Sequence, residues 1–209
     1  MRLVVAPLLW LQLGCATPAA AARGGRLTPA AEPVFVGERV AAAAAEWVGR
    51  SSLRAVDAGV PDDCTGLVRL AYAAIGVELR GSAATMYAQA RRVGAIHRGP
   101  PRRGDLVFFR ETYDRNGDGR RNDGITHVGV VELVDASGTV TFVHRGSRGV
   151  ARAKMNLRRP FTREWKGEVV NDWLRPGSRK QRPRLNGELF VGYASAEKLV
   201  GGTRRSARR

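Results

Sequence analysis

Residues 62–76 contain the stretch that decides the fold, and they read Asp-Asp-Cys-Thr-Gly-Leu-Val-Arg-Leu-Ala-Tyr-Ala-Ala-Ile-Gly. Apolar residues recur between Leu67 and Ile75 at the spacing of one helical face, which predicts an amphipathic helix. An aspartate in front of Cys64 is suited to cap the N-terminus of this helix, and Gly76 is suited to end it. The stretch therefore predicts a helix that starts at a cysteine.

The position of Cys64 at a helix start favours a reactive thiol. The unpaired backbone N–H groups and the positive end of the helix dipole both favour a thiolate there. A thiolate is the nucleophile of acyl-transfer chemistry, so Cys64 is a candidate catalytic residue. The alternative interpretation is a small buried hydrophobic residue, the commonest role of an isolated cysteine. Its position alone does not separate the two.

On either side of this helix the apolar pattern predicts further elements. Residues 40–48 and 83–92 have helical composition or spacing. Short apolar segments predict strands at 105–109, 126–134, 139–144 and 149–155. The sequence Asp-Ala-Ser-Gly at 135–138 predicts a hairpin turn between two of these strands. Helices followed by strands indicate an α+β fold, in which N-terminal helices pack on a small antiparallel sheet.

Two of the three histidines lie at the ends of this predicted hairpin. His127 opens one strand and His144 closes the next, so a tight turn places both rings on one face of the sheet. His144 could then orient His127 while His127 takes the proton of Cys64, which is the nucleophile–base–orienter arrangement of acyl transfer. The alternative is a pair of surface histidines on a solvated face. His97 lies in a polar loop and is assigned no role.

Four short segments follow one another along the chain: Asp-Cys-Thr-Gly-Leu-Val at 63–68, Arg-Gly-Asp-Leu-Val-Phe-Phe at 103–109, Thr-His-Val-Gly-Val-Val at 126–131 and Phe-Val-His at 142–144. They resemble, in the same order, four segments of the NlpC family of cell-wall cysteine peptidases. Three of these read Asp-Cys-Ser-Gly-Leu-Val, Pro-Gly-Asp-Leu-Val-Phe-Phe and Ser-His-Val-Gly-Ile-Tyr, and the fourth carries the third polar catalytic residue. The resemblance covers about residues 40–157.

The resemblance implies a papain-like α+β fold and hydrolysis of amide bonds in peptidoglycan stem peptides, as an endopeptidase or an amidase. Carried over residue by residue, it makes Cys64 the nucleophile, His127 the base and His144 the orienting residue. The chain departs from the family in residues 51–61, which lack the Tyr and the Trp-Gly-Gly stretch that often precede the nucleophile. This departure leaves the choice of peptide open.

A polar insertion at 114–124 separates the strand at 105–109 from His127, and it reads Asp-Arg-Asn-Gly-Asp-Gly-Arg-Arg-Asn-Asp-Gly. Oxygen ligands at Asp114, Asn116 and Asp118, followed by the backbone carbonyl of Arg120, resemble the start of a calcium loop. Asp123 adds a carboxylate near its end. No other cofactor is expected. The alternative is a polar turn that binds no metal.

The N-terminal fifteen residues have the pattern of a signal peptide, because one arginine precedes a short apolar run. The run ends in Leu-Gly-Cys and resembles a bacterial lipobox, which predicts lipidation of Cys15. The alternatives are cleavage at a nearby alanine and an uncleaved buried segment. Without lipidation, a disulfide between Cys15 and Cys64 would be the usual expectation for an exported protein. Residues 16–33 are predicted to be an Ala/Pro-rich tether, residues 34–175 the peptidase domain and residues 176–209 a basic extension. In that extension an apolar segment near 189–193 is expected to pack back on the domain.

Lysine and arginine number 35 against 19 acidic residues, which gives a formal charge of +16. This excess favours a polyanionic surrounding such as a cell wall or a membrane surface, unless it only reflects a coding bias toward arginine. No basic helix with interleaved aromatic residues is present, so no specific nucleic-acid partner is expected.

The sequence predicts an exported monomer, periplasmic or anchored to the outer membrane by lipid, that acts on peptidoglycan peptides. Two rival functions remain. One is a non-catalytic cell-wall-binding lipoprotein, and the other is an acyltransferase on the same fold.

Overall fold

The computed structural model describes residues 35–54, 59–120, 122–177 and 181–206. The predicted signal peptide, the lipidation site Cys15 and the predicted tether lie outside the described residues. In the described part, no helix is both long enough and apolar enough to cross a membrane.

Three helices precede the main sheet, as the sequence predicts. They are α1 (Val36–Ala45), α2 (Cys64–Ala73) and α3 (Ala83–Arg92). The start of α2 is capped by Asp63 and the start of α3 by Ser82, whose side chains accept backbone N–H bonds of the first turn. The first helix begins and ends a few residues earlier than predicted, because the alanine-rich composition marks helical propensity but no exact boundary.

The sheet consists of six strands, of which four were predicted from the sequence. In chain order they are β1 (Ile96–His97), β2 (Leu106–Arg110), β3 (Ile125–Val134), β4 (Thr139–Gly146), β5 (Gly149–Asn156) and β10 (Phe190–Ala194). Their spatial order is β1-β10-β2-β3-β4-β5, and every neighbouring pair is antiparallel. The α+β class with helices on a mainly antiparallel sheet is therefore confirmed.

Short elements connect β5 to β10. The strands β6 (Glu164–Trp165) and β7 (Glu168–Val169) form one small hairpin. The strands β8 (Trp173–Arg175) and β9 (Arg184–Leu185) form a second pair, and α4 (Asn186–Leu189) leads into β10. The last element is the helix α5 (Ala196–Ser206).

The apolar segment of the predicted basic extension forms β10, which lies between β1 and β2. Two chain segments about 90 residues apart thus become neighbours, with Tyr193 opposite Val107. The sequence predicted only that this segment packs back on the domain, whereas in the structure it is a strand inside the main sheet. Sequence periodicity cannot show this, since strand order depends on long-range pairing.

Both faces of the sheet are covered by apolar side chains. On one face Val128, Val130 and Val143 pack with the apolar side of α2. A second cluster contains Phe109 and Phe142. Burial on both faces explains why β2 reads as a continuous apolar run rather than as an alternating pattern.

The buried carboxylate of Asp105 joins three parts of the chain. It accepts hydrogen bonds from the backbone N–H of Arg102 (2.9 Å) and of Ala196 (3.0 Å), and it contacts His97 Nε2 at 3.2 Å. Burial raises the pKa of this carboxyl. Asp105 thereby ties the start of β2 to β1 and to α5, and His97 has a structural partner that the sequence did not reveal.

The first turn of α2 packs so closely on the preceding loop that only glycine fits at position 66. A Cβ atom on Gly66 would lie 1.8 Å from the backbone oxygen of Pro61. Real Cβ atoms do not approach so closely, and a larger side chain would therefore push α2 away from the loop that leads to Cys64.

We predict that Gly66→Ala lowers the free energy of unfolding by about 1–3 kcal/mol, because the backbone must shift to admit the methyl group. The measurement is urea denaturation of both proteins. The matched control is Gly201→Ala in α5, where a Cβ atom meets nothing within 4 Å and should be neutral or stabilising by up to about 1 kcal/mol. Equal midpoints for Gly66→Ala and the parent protein would contradict the prediction.

Candidate active site

Cys64 is the first residue of α2, and its side chain is a free thiol that is 8% exposed. The Asp63 carboxylate fixes the turn, because it accepts hydrogen bonds from the Thr65 N–H (2.8 Å), the Thr65 hydroxyl (2.7 Å) and the Gly66 N–H (3.1 Å). Asp63 therefore places the thiol at the helix N-terminus, where the sequence predicted it.

The electrostatics of the thiol differ from the expectation of a thiolate. Burial raises the pKa of Cys64 to about 11, and the negative charge of Asp63 adds to this effect. Hydrogen bonding from backbone N–H groups, chiefly that of Val128, acts in the opposite direction but is the weaker influence. The helix start is present, but desolvation outweighs it in setting the pKa of the thiol.

His127 and His144 meet across the hairpin of β3 and β4. His127 Nε2 lies 2.9 Å from His144 Nδ1, and the two rings are nearly perpendicular at 82°. Gly129 permits this approach, since a Cβ atom there would lie 2.7 Å from the Phe142 ring and 3.4 Å from His144 Cβ. The pairing predicted from the hairpin register is therefore present in the structure.

Both imidazoles are neutral at physiological pH. Burial lowers the pKa of His127 well below its usual value, and the neighbouring His144 lowers it further. Burial also lowers the pKa of His144 to about 4, although the negative charge of Asp172 opposes this change. A neutral imidazole can accept a proton, so His127 is in the protonation state that a general base requires.

The backbone N–H of Val128 bonds to the Cys64 thiol and thereby connects α2 to β3. Because Val128 follows His127 directly, this contact places the thiol beside the strand position of the imidazole. His127 and Cys64 also line the same cleft. The structure thus gathers all three residues that the sequence selected as catalytic candidates.

An ion pair beside the site was not recognised in the sequence. Arg145 Nε and Nη2 donate to the two carboxylate oxygens of Asp62 at 3.0 and 3.2 Å. Asp62 also accepts bonds from the Ser52 hydroxyl (2.9 Å) and the Leu53 N–H (3.0 Å), and this set of donors lowers its pKa, with Arg145 contributing most. The pair links the loop before Cys64 to the strand residue after His144. The one sequence feature that points to this pair is its position: Asp62 precedes the helix cap Asp63, and Arg145 follows His144.

The cleft around these residues has a volume of about 1290 Å³. The loop before Cys64 and the start of α2 line one part of it, and the ends of β3 and β4 line another. The half-exposed Trp173 and Tyr113 add aromatic surface to the wall. A cleft of this size can hold several residues of an extended peptide.

The carboxylates of the 114–123 loop accept hydrogen bonds from the loop itself. Asp114 accepts from the N–H groups of Gly117 (2.8 Å) and Gly119 (2.7 Å), and Asp118 accepts from the Arg120 N–H (2.8 Å). Asn116 Oδ1 similarly accepts the N–H of Asp118, at 3.1 Å. These bonds are those of the alternative polar turn.

No group of three or more His, Cys, Asp or Glu side chains in the described part of the chain is arranged to hold a metal ion. Asp123 is buried, and its Oδ2 atom has no hydrogen-bond partner. Calcium binding by Asp114, Asn116, Asp118, Arg120 and Asp123 stays a prediction.

A thiol at a helix start beside a histidine pair on an antiparallel sheet defines a site of the papain-like class. The family model described as NlpC/P60 family matches residues 46–171, more than half of the chain. The chain belongs to the NlpC/P60 family, as its four sequence segments predicted.

Several solved structures are similar to this chain, whereas no curated protein matches it. NlpC1 from Trichomonas vaginalis shares 21% identity over 59% of this chain, with a TM-score of 0.39. A protein from Staphylococcus aureus, described as similar to lipoprotein of the NLP/P60 family, shares 19% identity over 77% of this chain, with a TM-score of 0.41. An N-acetylmuramoyl-L-alanine amidase from Staphylococcus aureus shares 20% identity over 45% of this chain, with a TM-score of 0.34. The matched regions make up 40%, 41% and 27% of those proteins, respectively.

We predict that the pair of the buried His127 and the half-buried His144 makes the fold less stable in acid. Between pH 6.5 and about 4 an unfolded chain protonates the side chain of His144, whereas the folded protein keeps it neutral, so stability falls as the pH falls through this window. His144→Gln removes this contribution and should flatten the fall of the thermal midpoint by several degrees. Midpoints measured from pH 7.5 to 4 test this. Parallel curves for the two proteins would show that His144 does not contribute.

Proposed function

We propose that this chain is a cysteine peptidase that hydrolyses amide bonds in peptidoglycan stem peptides, as an endopeptidase or an amidase. The observation that carries the proposal is the 2.9 Å contact of His127 with His144 beside the buried thiol of Cys64. Membership of the NlpC/P60 family supports the class of substrate.

The reaction begins with a proton transfer that accompanies nucleophilic attack. His127 takes the proton of the Cys64 thiol while the sulfur attacks the carbonyl carbon of the scissile amide. The raised pKa of the thiol makes this base necessary, because little thiolate exists before the substrate arrives. The backbone N–H of Cys64, at the helix start, can donate to the oxyanion of the tetrahedral intermediate.

The second half of the reaction releases both products. The protonated His127 gives its proton to the nitrogen of the leaving amine, the C–N bond breaks and a thioester remains on Cys64. Water, activated by the now neutral His127, attacks the thioester carbonyl. The carboxylic acid product leaves, and the sulfur recovers a proton.

His144 fixes the tautomer of the base. If His127 Nε2 carries the hydrogen and donates it to His144 Nδ1, then His127 Nδ1 is free to accept the thiol proton. The same bond fixes the angle of the ring. His144 handles no substrate proton in this mechanism, so its loss should be less severe than that of His127.

We predict that Cys64→Ala and His127→Ala each lower kcat by several orders of magnitude, and that His144→Ala lowers it less. The assay is digestion of purified peptidoglycan, with mass spectrometry of the fragments to identify the bond that is cut. His97→Gln is the matched control, since it replaces the histidine outside the site and should leave turnover unchanged. Near-parental turnover by Cys64→Ala or His127→Ala would refute the mechanism, and equal losses in both histidine variants would refute the division of roles.

The rival functions are separable by the chemistry of the thiol. A peptidase or an acyltransferase uses His127 to deprotonate Cys64, so iodoacetamide should label Cys64 more slowly in His127→Ala than in the parent protein. A non-catalytic wall-binding protein has no such coupling. The two enzyme functions are then distinguished by their product, which is a free acid or a transferred acyl group.

We also propose that the protein is exported and acylated at Cys15, because a short apolar run ends there in Leu-Gly-Cys. The expected result is a mature chain that starts at Cys15 and carries the mass of a lipid. Intact-mass spectrometry of the protein from its native membrane fraction measures both features. A mature chain starting after residue 15, or a Cys15 without lipid, would contradict the proposal.

A further inference from the structure

The cleft of the proposed active site is rich in guanidinium groups. Six arginines of the described residues line it: Arg69, Arg115, Arg145, Arg148, Arg152 and Arg163. Three of them are paired with a carboxylate of the protein. These pairs are Arg145 with Asp62 at 3.0 Å, Arg152 with Glu132 at 2.6 Å, and Arg163 with Glu164.

The side chains of the other three arginines make no hydrogen bond or ion pair with another residue in the described part of the chain. Arg69 belongs to α2 and is half-buried, five residues after the nucleophile. Arg115 is exposed in the polar insertion, and Arg148 is exposed in the turn between β4 and β5. These three cations come from three separate elements and border the same cleft as Cys64.

The carboxylates of the cleft are already engaged. Asp62 is held by Arg145, and Asp63 caps α2. Asp172 accepts the backbone N–H of Lys154 at 2.7 Å. A ligand that enters the cleft therefore meets three guanidinium groups without a counter-ion. Among the described lining residues they outnumber the two carboxylates that no cation pairs, Asp63 and Asp172, whose hydrogen bonds come from N–H or hydroxyl groups.

A planar guanidinium group binds a carboxylate through two parallel N–H donors and keeps its charge at every physiological pH. The walls of a cleft strengthen such contacts relative to open water. We propose that the cleft selects peptides that carry free carboxylates near the scissile amide, over the same peptides with those carboxylates amidated. Arg69, Arg115 and Arg148 are the specificity-determining residues.

This inference rests on the proposed function, since the acyl group that Cys64 attacks must lie in the same cleft. The positions of the three cations favour a peptide over a long wall polymer of phosphodiesters, because they line the cleft that also contains Cys64. Competition by such a polymer is therefore an outcome of the test.

The test measures binding separately from catalysis. Soluble stem peptides released from peptidoglycan are divided in two, and the carboxylates of one half are converted to amides. Both preparations are titrated into the full-length Cys64→Ala protein by calorimetry. We expect the carboxylate form to bind about tenfold more tightly, because each additional exposed ion pair contributes a factor of about two to five.

The variants assign the preference to residues. Arg69→Gln, Arg115→Gln and Arg148→Gln, each made in the Cys64→Ala protein, should each lower the ratio of the two affinities about twofold. Arg152→Gln is the matched control, because Arg152 lines the same cleft but is already paired with Glu132. It should leave the ratio unchanged.

Equal affinities for the two preparations, or no binding of the carboxylate form at millimolar concentration, would overturn the inference. An equal effect of Arg152→Gln and of the three variants would overturn the assignment. Displacement of the bound peptide by a phosphodiester wall polymer at a concentration below that of the peptide would overturn it as well.

Turnover by the parent protein is recorded in parallel. Hydrolysis of both peptide forms at equal rates would reject the inference and retain the peptidase, whereas selective binding without hydrolysis would retain the inference and reject the peptidase.

Discussion

The contact of α2 with β3 is the constraint on which the site depends. The apolar side of the helix packs on Val128 and Val130, and the Val128 N–H reaches the thiol at the helix start. The nucleophile and the proposed base are carried by different elements, so their distance is set by this packing and by nothing local. Gly66 and the Asp63 cap fix where the helix begins, and the ion pair of Asp62 with Arg145 holds the preceding loop against β4.

Burial has a second effect, because it keeps the three candidate residues uncharged. The thiol loses its proton less readily and the imidazoles gain one less readily than they would in water. Both shifts favour neutral groups over a thiolate–imidazolium pair. The surrounding arginines, by contrast, keep a permanent charge on the cleft wall.

The sequence predicted the local features of the fold well, because they depend on local physics. The cap, the helix start at Cys64 and the hairpin at 135–138 each follow from residues adjacent in the chain. The meeting of His127 with His144 was predicted from a regular hairpin. The register next to the turn alone would not produce it, because a β-bulge between Val131 and Leu133 shifts the pairing by one residue and brings both rings to one face. Features that depend on distant residues were missed. Asp62 and Arg145 are 83 residues apart, and the insertion of β10 between β1 and β2 has no periodic signal. The effect of burial on the thiol pKa could not be predicted for the same reason, since desolvation is a property of the assembled core.

The position of β10 means that a segment late in the chain completes the sheet. Until residues 190–194 pair with it, β2 lacks its neighbour on one side and presents an open row of backbone donors and acceptors. The helix–hairpin portion that carries Cys64, His127 and His144 precedes this segment in the chain, but without it the sheet ends at an apolar edge. Closure of the sheet is therefore a long-range step, and pairing of such distant strands is intrinsically slow.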